Sequence, residues 1–260
     1  MRRDLPMKQT KSNILVFDIE MTPSLAWVWS SGKQYVSYSN ILEPQKIICI
    51  SYKWLGTPGV TTLVWSKKQD ERKMLEKFSK IADTAETCIA HNGKNFDIKQ
   101  INARLAYHNL QPLSIGLMED TLTLSRKQFR IPSHSLAYLA KYFKVGKKFT
   151  HSGGQEVWLK VWLDNDQKSL EWMKKRCEED VKLLEAVYVR LRPYLQTTAV
   201  KKRMESGRPY GCPACGGPLH GHGTRLVSKL RKVARYRCQQ CAKVVLGGVN
   251  LFSKTNEFPR

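Results

Sequence analysis

Two carboxylates stand two residues apart in Ile14-Leu-Val-Phe-Asp18-Ile-Glu20, at the end of a run that is otherwise apolar and rich in β-strand formers. Such a run reads as a buried strand. Successive strand side chains alternate between faces, so Asp18 and Glu20 point the same way. Two neighbouring buried acids repel each other unless a cation sits between them. Carboxylate oxygens suit a hard divalent ion such as Mg²⁺ or Mn²⁺. On this stretch alone, a strand that merely ends in polar residues fits equally well.

A second constellation is made of sulfur. Cys212-Pro-Ala-Cys215 and Cys238-Gln-Gln-Cys241 are two C-x-x-C pairs separated by 22 residues. Each such turn supplies two thiolates, and four fill a closed tetrahedral site for one structural Zn²⁺. Gly216 and Gly217 after the first pair suit a tight turn. Disulfides are the alternative, which a reducing compartment disfavours. His220 and His222 lie nearby, but the four cysteines already complete the site. Cys49, Cys88 and Cys177 lie in apolar surroundings and read as core residues.

The chain must position these groups. Its 260 residues leave room for one sizeable domain and a small module, and 42% apolar residues suffice for a packed core. A net charge of +22 attracts polyanions, nucleic acid first and an anionic membrane surface second. No stretch approaches the ~18 apolar residues of a membrane span, and the opening residues carry no signal-peptide pattern, so a cytoplasmic protein without a membrane partner is expected.

Residues 1–12 read as a disordered basic arm. Strands are expected at 13–20, 47–54, 60–65, 87–91 and 115–121, with Thr57-Pro-Gly59 turning the second into the third. Residues 21–45, with Trp27, Trp29 and Tyr35, read as an irregular segment or hairpin at the sheet edge. Helices are expected at 69–83, 96–109, 120–128, 134–144 and 167–191, and 146–154 is a basic, glycine-containing loop. Strands that first pair as hairpins and later alternate with helices indicate a mixed α/β sheet.

In the last helix Leu170, Met173, Cys177, Val181, Leu184, Tyr188 and Leu191 form one apolar stripe, and Asp180 lies on its edge. Pro193 ends that helix. Residues 197–209 are polar and basic and read as a linker. Residues 201–260 hold 13 Lys and Arg against 2 acids, so the cysteine module is the denser in positive charge. A further acid, Asp97 in His91-Asn-Gly-Lys-Asn-Phe-Asp97, falls in the first turn of a helix, where a carboxylate is favoured.

Taken in order, Asp18, Glu20, Asp97 and Asp180 resemble the acids of the DEDD superfamily of 3′–5′ exonucleases. Phe-Asp18-Ile-Glu20 matches the first motif, Asn92-Gly-Lys-Asn-Phe-Asp97 the second, and Cys177-Glu-Glu-Asp180-Val the third. Asp120-Thr-Leu, Ser135-Leu-Ala-Tyr-Leu-Ala and Leu191-Arg-Pro-Tyr are similar to a branch, common in phages and prokaryotes, that ends in a zinc ribbon. The resemblance implies a ribonuclease-H-like domain over 13–196, built on a mixed five-stranded sheet flanked by helices. A linker at 197–209 and a zinc ribbon with a basic tail at 210–260 would follow. It places the protein in the cytoplasm, of the host if phage-encoded, with replication or recombination proteins as possible associates.

The resemblance also implies a mechanism. Two Mg²⁺ or Mn²⁺ ions about 3.5–4 Å apart would activate water and stabilise the leaving oxygen of a phosphodiester. Asp18 would bridge them, Glu20 and Asp180 would complete one site, and Asp97 would hold the other. One position departs from the pattern. The family places a Tyr four residues before the last Asp, or a His five before it, as a base. Here Arg176 and Lys175 stand there, and neither accepts a proton near neutral pH. Either the metals alone activate water, or a histidine from elsewhere serves, or catalysis is lost. His151, beside Gly153 and Gly154, is the nearest stand-in, a plain surface histidine being the other reading, while His91 and His134 pack or cap.

Arg176, one helical turn before Asp180, can pair with a phosphate oxygen. Asn92, Lys147 and His151 complete the candidate substrate contacts, and a nucleobase could stack on Trp27 and Trp29. The expected function is a 3′–5′ exonuclease acting on DNA in preference to RNA. A structure-selective endonuclease or a catalytically weak or inactive nucleic-acid binder on the same fold are the other readings. A binder has no use for four acids where phosphate must go.

Overall fold

The structure, a computed structural model, describes residues 13–149, 154–195, 211–228 and 231–247. Strand β1 (Ile14–Met21) is followed by a short hairpin, β2 (Leu25–Ala26) and β3 (Ile41–Glu43), then by β4 (Ile47–Trp54) and β5 (Thr61–Val64). The chain then alternates: α1 (Arg72–Asp83), β6 (Thr87–Ala90), α2 (Asp97–Tyr107), β7 (Leu117–Asp120). Four helices follow, α3 (Thr121–Gln128), α4 (Leu136–Tyr142), α5 (Glu156–Leu163) and α6 (Gln167–Leu191). Among the described residues no helix is long and apolar enough to cross a membrane.

The main sheet has the order β5-β4-β1-β6-β7. β1 pairs antiparallel with β4 and parallel with β6. β4 pairs antiparallel with β5, and β6 parallel with β7. The mixed five-stranded sheet expected from the hairpin-then-alternation pattern is therefore present, with β1 at its centre. Within residues 21–45 the expected hairpin is present, but β2 and β3 pair only with each other, in a sheet of their own and not at the edge of the main one.

Both faces of β1 are covered, and its alternation decides where the acids point. Leu15, Phe17, Ile19 and Met21 enter one cluster with Met74, Leu75 and Phe78 of α1 and Ile101 and Leu105 of α2. Ile14 and Val16 enter another with Leu136 and Leu139 of α4 and Val181, Leu184 and Val187 of α6. Asp18 and Glu20 continue this second set of alternate positions, so they project toward α6. Phe17 is fully buried, and removing such a ring costs about 3–5 kcal/mol. That burial anchors the strand that carries the acids.

Helix α6 runs over the residues its apolar stripe marks out. Asp166 caps it by accepting from the Ser169 backbone N–H at 2.8 Å. Helix α5 has no counterpart in the sequence reading. Its Val157, Val161 and Trp162 pack with Ile48, Trp65, Leu170, Met173 and Cys177 in a third cluster.

At the C-terminus β8 (Leu219–Ser228), β9 (Arg231–Cys238) and β10 (Val244–Leu246) form an antiparallel sheet in the order β10-β9-β8. The arm at 1–12, the linker at 197–209, His151 and the tail beyond 247 lie outside the described residues.

Candidate active site

The acids converge as the strand alternation requires. Oxygen atoms of Asp18, Glu20 and Asp180 lie within 4.8 Å of one another. Asp180 reaches them because Cys177, one turn earlier on α6, packs against β1. Its thiol donates to the Asp18 backbone carbonyl at 3.4 Å and lies 3.7 Å from Asp18 Oδ2. Burial pushes that thiol well above its usual range, so it acts as a neutral donor. The core reading of Cys177 holds, and the residue also sets the distance between β1 and α6.

Asp97 opens α2 and is buried. It is near enough to Asp18 that its charge, after burial, is the main cause of the raised Asp18 pKa. Burial likewise pushes Asp97 up to about 7, with Asp120 and Glu20 adding to the shift. The loop that delivers Asp97 is organised by Asp120, a task the sequence reading did not assign to it. Its carboxylate accepts the backbone N–H groups of Asn92 at 3.0 Å and Lys94 at 3.1 Å. It also accepts those of Leu122 at 3.0 Å and Thr123 at 3.3 Å, capping α3. An acidic residue directly before a helical run was the available signal.

The loop between β6 and α2 turns at Asn92. Asn92, not Gly93, takes the positive φ of 64°. Gly93 is needed for space: a Cβ there would lie 2.5 Å from the Ala90 Cβ and 2.4 Å from the Met118 Cε. The Asn92 backbone thus serves the loop.

Two cations face the acids. Arg176 Nε donates to Glu20 Oε1 at 2.8 Å, and Lys148 Nζ lies 3.1 Å from Asp180 Oδ2. The Arg176 guanidinium is stacked over Trp158 at 5.1 Å and Trp172 at 6.0 Å, a geometry that holds a cation in place. Arg176 therefore projects into the acid cluster, as its position one turn before Asp180 suggests. From the basic loop Lys148 reaches the site, while Lys147 is exposed. His91 Nδ1 pairs with Thr121 Oγ1 at 2.9 Å and His134 Nδ1 with Ser125 Oγ at 3.0 Å, in keeping with structural roles. Burial holds His91 down to about 4.

The donor set fits hard divalent cations. It consists of carboxylates alone, and burial raises the proton affinity of Asp18 and Glu20. Asp180 Oδ1 is buried without a hydrogen-bond partner. An orphaned carboxylate oxygen beside two other acids is unfavourable unless a cation completes it. Beside Glu20 a cleft of about 480 Å³ opens, walled by Met21, Pro23, Phe96, Trp158 and Leu159.

The second constellation is also assembled. Cys212, Cys215, Cys238 and Cys241 offer sulfurs within 4.8 Å of one another. Cys212–Cys241 and Cys215–Cys238 separations are both 3.6 Å, far beyond a disulfide bond of ~2.05 Å and close to the edge of a tetrahedron with Zn–S bonds of ~2.3 Å. Backbone N–H groups of Cys241 and Gln240 point at the Cys238 sulfur, each at 3.4 Å, and bring that thiol down to about 6. The cluster is compatible with a zinc ribbon.

Comparison with known proteins agrees with this architecture. A PolC-type DNA polymerase III of Ureaplasma parvum serovar 3 is 41% identical over 76 residues, which are 29% of this chain and 5% of that protein. The family B DNA polymerase from the hyperthermophilic archaeon Pyrobaculum calidifontis superimposes with a TM-score of 0.53 at 16% identity, over 69% of this chain and 24% of its own. That likeness concerns the fold alone, and this chain spans only a small part of either polymerase. Residues 42–192, more than half of the chain, match the family model of the RNase_H superfamily, and the chain belongs to that superfamily.

Proposed function

We propose that the protein is a metal-dependent nuclease that hydrolyses DNA from its 3′ end. The observation that carries this reading is the meeting of Asp18, Glu20 and Asp180 around the unpartnered Asp180 Oδ1. Asp18, Glu20 and Asp180 would hold one Mg²⁺ or Mn²⁺ ion, and Asp18 with Asp97 a second. Such ions supply an activated water and charge stabilisation at the leaving oxygen. The chain's own residues do the rest. Asp120 and Gly93 fix Asp97, and Cys177 fixes the approach of α6. Arg176 and Lys148 neutralise acids and present positive charge to the phosphate. Neither Arg176 nor Lys175 accepts a proton near neutral pH, so the base that the resemblance implies at those two positions is missing. General-base help is worth about 10²–10⁴-fold, and turnover should be correspondingly slow.

Residues 13–196 would form the catalytic domain and 210–260 a basic zinc ribbon that strengthens the grip on DNA. Replication or recombination proteins are its associates on this reading, which is supported by the 76-residue likeness to one DNA polymerase and the fold likeness to another. A second reading is favoured by the pairing of Glu20 with Arg176 and Asp180 with Lys148. On that reading the cations fill the place of metals and the protein binds nucleic acid without cutting it.

One experiment separates the two. End-labelled single- and double-stranded DNA and RNA are incubated with Mg²⁺ or Mn²⁺ and wild type, Asp18→Asn or Asp180→Asn. Stepwise loss from the 3′ end, abolished in both variants, supports the nuclease. Degradation that persists at the wild-type rate in both would sink the assignment of the acids. No degradation by wild type under any condition would favour the binder.

A further inference from the structure

We propose that residues 22–46 form an aromatic platform on which a single-stranded polynucleotide stacks outside the acid site. The inference rests on the nuclease reading only in where the strand goes next. β1 and β4 are antiparallel neighbours in the sheet, which a loop of 2–5 residues can join. The chain instead inserts residues 22–46, with β2 and β3 at their base and a sheet of their own. The insertion displays Trp29 at 89%, Tyr35 at 93% and Tyr38 at 87% exposure. Rings of that size are normally buried. Trp27 braces Trp29 edge to face at 5.1 Å, which leaves Trp29 presented to solvent.

Charge selects the occupant. The one acid in the insertion, Glu43, is neutralised by Lys46 at 2.8 Å, and the chain as a whole carries +22. Rings presented singly, among serines and glycine and with no free negative charge, suit bases on a flexible polyanion. Duplex DNA keeps its base faces stacked and cannot use them. The placement is continuous with the acids. Met21, Thr22, Pro23 and Gln45, at the roots of the insertion, line the cleft beside Glu20. Leu25 packs in the cluster that includes Trp158 and Trp172, the rings under Arg176. A strand with one phosphate at the acids therefore meets the insertion as it leaves the cleft.

The test is fluorescence anisotropy of the full-length protein in chelator, so that nothing is cut. The probe is a labelled oligothymidylate of about 20 nucleotides, longer than the ~4–16 of a single binding site, with its duplex as control. Trp29→Ala, Tyr35→Ala and Tyr38→Ala should each raise Kd for the single strand by about 5- to 150-fold, the equivalent of one lost base stack. Duplex affinity should stay unchanged. Tyr35→Phe, which keeps the ring, should bind as wild type. Variants that bind the single strand as wild type would overturn the platform. So would a wild type that sediments as a dimer and becomes monomeric in the triple alanine variant, because the rings would then face a second copy. If the nuclease reading fails through intact cleavage in Asp18→Asn and Asp180→Asn, this titration still decides the platform independently.

Discussion

Asp97 offers the sharpest test of the buried electrostatics. Its carboxyl is 2% exposed and is pushed up to about 7 by burial, with the charges of Asp120 and Glu20 adding and backbone N–H groups opposing. Below pH ~4 the folded and unfolded chains both keep this proton. Between pH ~4 and ~7 the unfolded chain releases it while the folded chain retains it, so Asp97 withdraws stability as pH rises through that window. Roughly 3 pH units at 1.36 kcal/mol each amount to on the order of 4 kcal/mol, or about 8–16 °C in Tm for a domain of this size. His91, held down to about 4, adds stability as pH rises between ~4 and ~6.5 and masks part of the wild-type slope. The decisive quantity is the difference between wild type and Asp97→Asn, from urea melts in chelator across pH 4–8. The variant should gain on wild type steadily from pH ~4 to ~7 and hold its lead above that. Mn²⁺ should narrow the gap by stabilising the wild-type carboxylate. Parallel stability curves for the two proteins would show that Asp97 is not the strained group inferred here.

Gly93→Ala places a Cβ 2.5 Å from the Ala90 Cβ, which cannot yield as the Met118 side chain can; a loss of about 1–3 kcal/mol in urea unfolding is expected, and a change below ~0.5 kcal/mol would mean the loop relaxes freely. Arg176→Ala frees Glu20 from its 2.8 Å partner and should tighten Mn²⁺ binding by roughly tenfold, ~1.4 kcal/mol by calorimetry; unchanged or weaker binding would show that guanidinium and metal do not compete. Chelating zinc should unfold the cysteine module while leaving the larger domain's melt in place, and elemental analysis should return one zinc per chain, with a value near zero excluding the site.

The central sheet and three of the four acids were legible because local periodicity carried them. Alternation in Ile14–Glu20 places Asp18 and Glu20 on one face, and the apolar stripe of α6 places Asp180 beside it. Asp97 was legible from its strand-to-helix context. Helix α5 escaped because Val157, Trp158, Leu159, Val161, Trp162 and Leu163 leave almost no polar face by which to recognise a period. Both Leu159 and Leu163 in fact face solvent. The task of Asp120 escaped for a different reason. Its partners Asn92 and Lys94 are remote in sequence, and only the parallel pairing of β6 with β7 brings them together. Which of Lys147 and Lys148 turns inward depends on the phase of an irregular loop, and no repeat fixes that phase.

The departure at Arg176 looks different once the pairs are seen. As a missing base it is a defect in the catalytic pattern. As a cation on Glu20, matched by Lys148 on Asp180, it answers a problem the acids create, since buried carboxylates at this spacing repel strongly. A tyrosine at that position would relieve none of this charge. Arg176 is also fixed by Trp158 and Trp172, and Trp158 belongs to α5 and lines the cleft. Substrate entering that cleft would press on the ring that holds the guanidinium. On the proposed function, Glu20 would pass from arginine to metal and Arg176 from carboxylate to phosphate, and Trp158, which touches both the cleft and the guanidinium, would link the two exchanges. Trp158→Ala should loosen the Glu20–Arg176 pair without touching a single acid. Mn²⁺ affinity measured in Trp158→Ala should accordingly move toward that of Arg176→Ala, and an affinity equal to wild type would break the link between the aromatic wall and the acids.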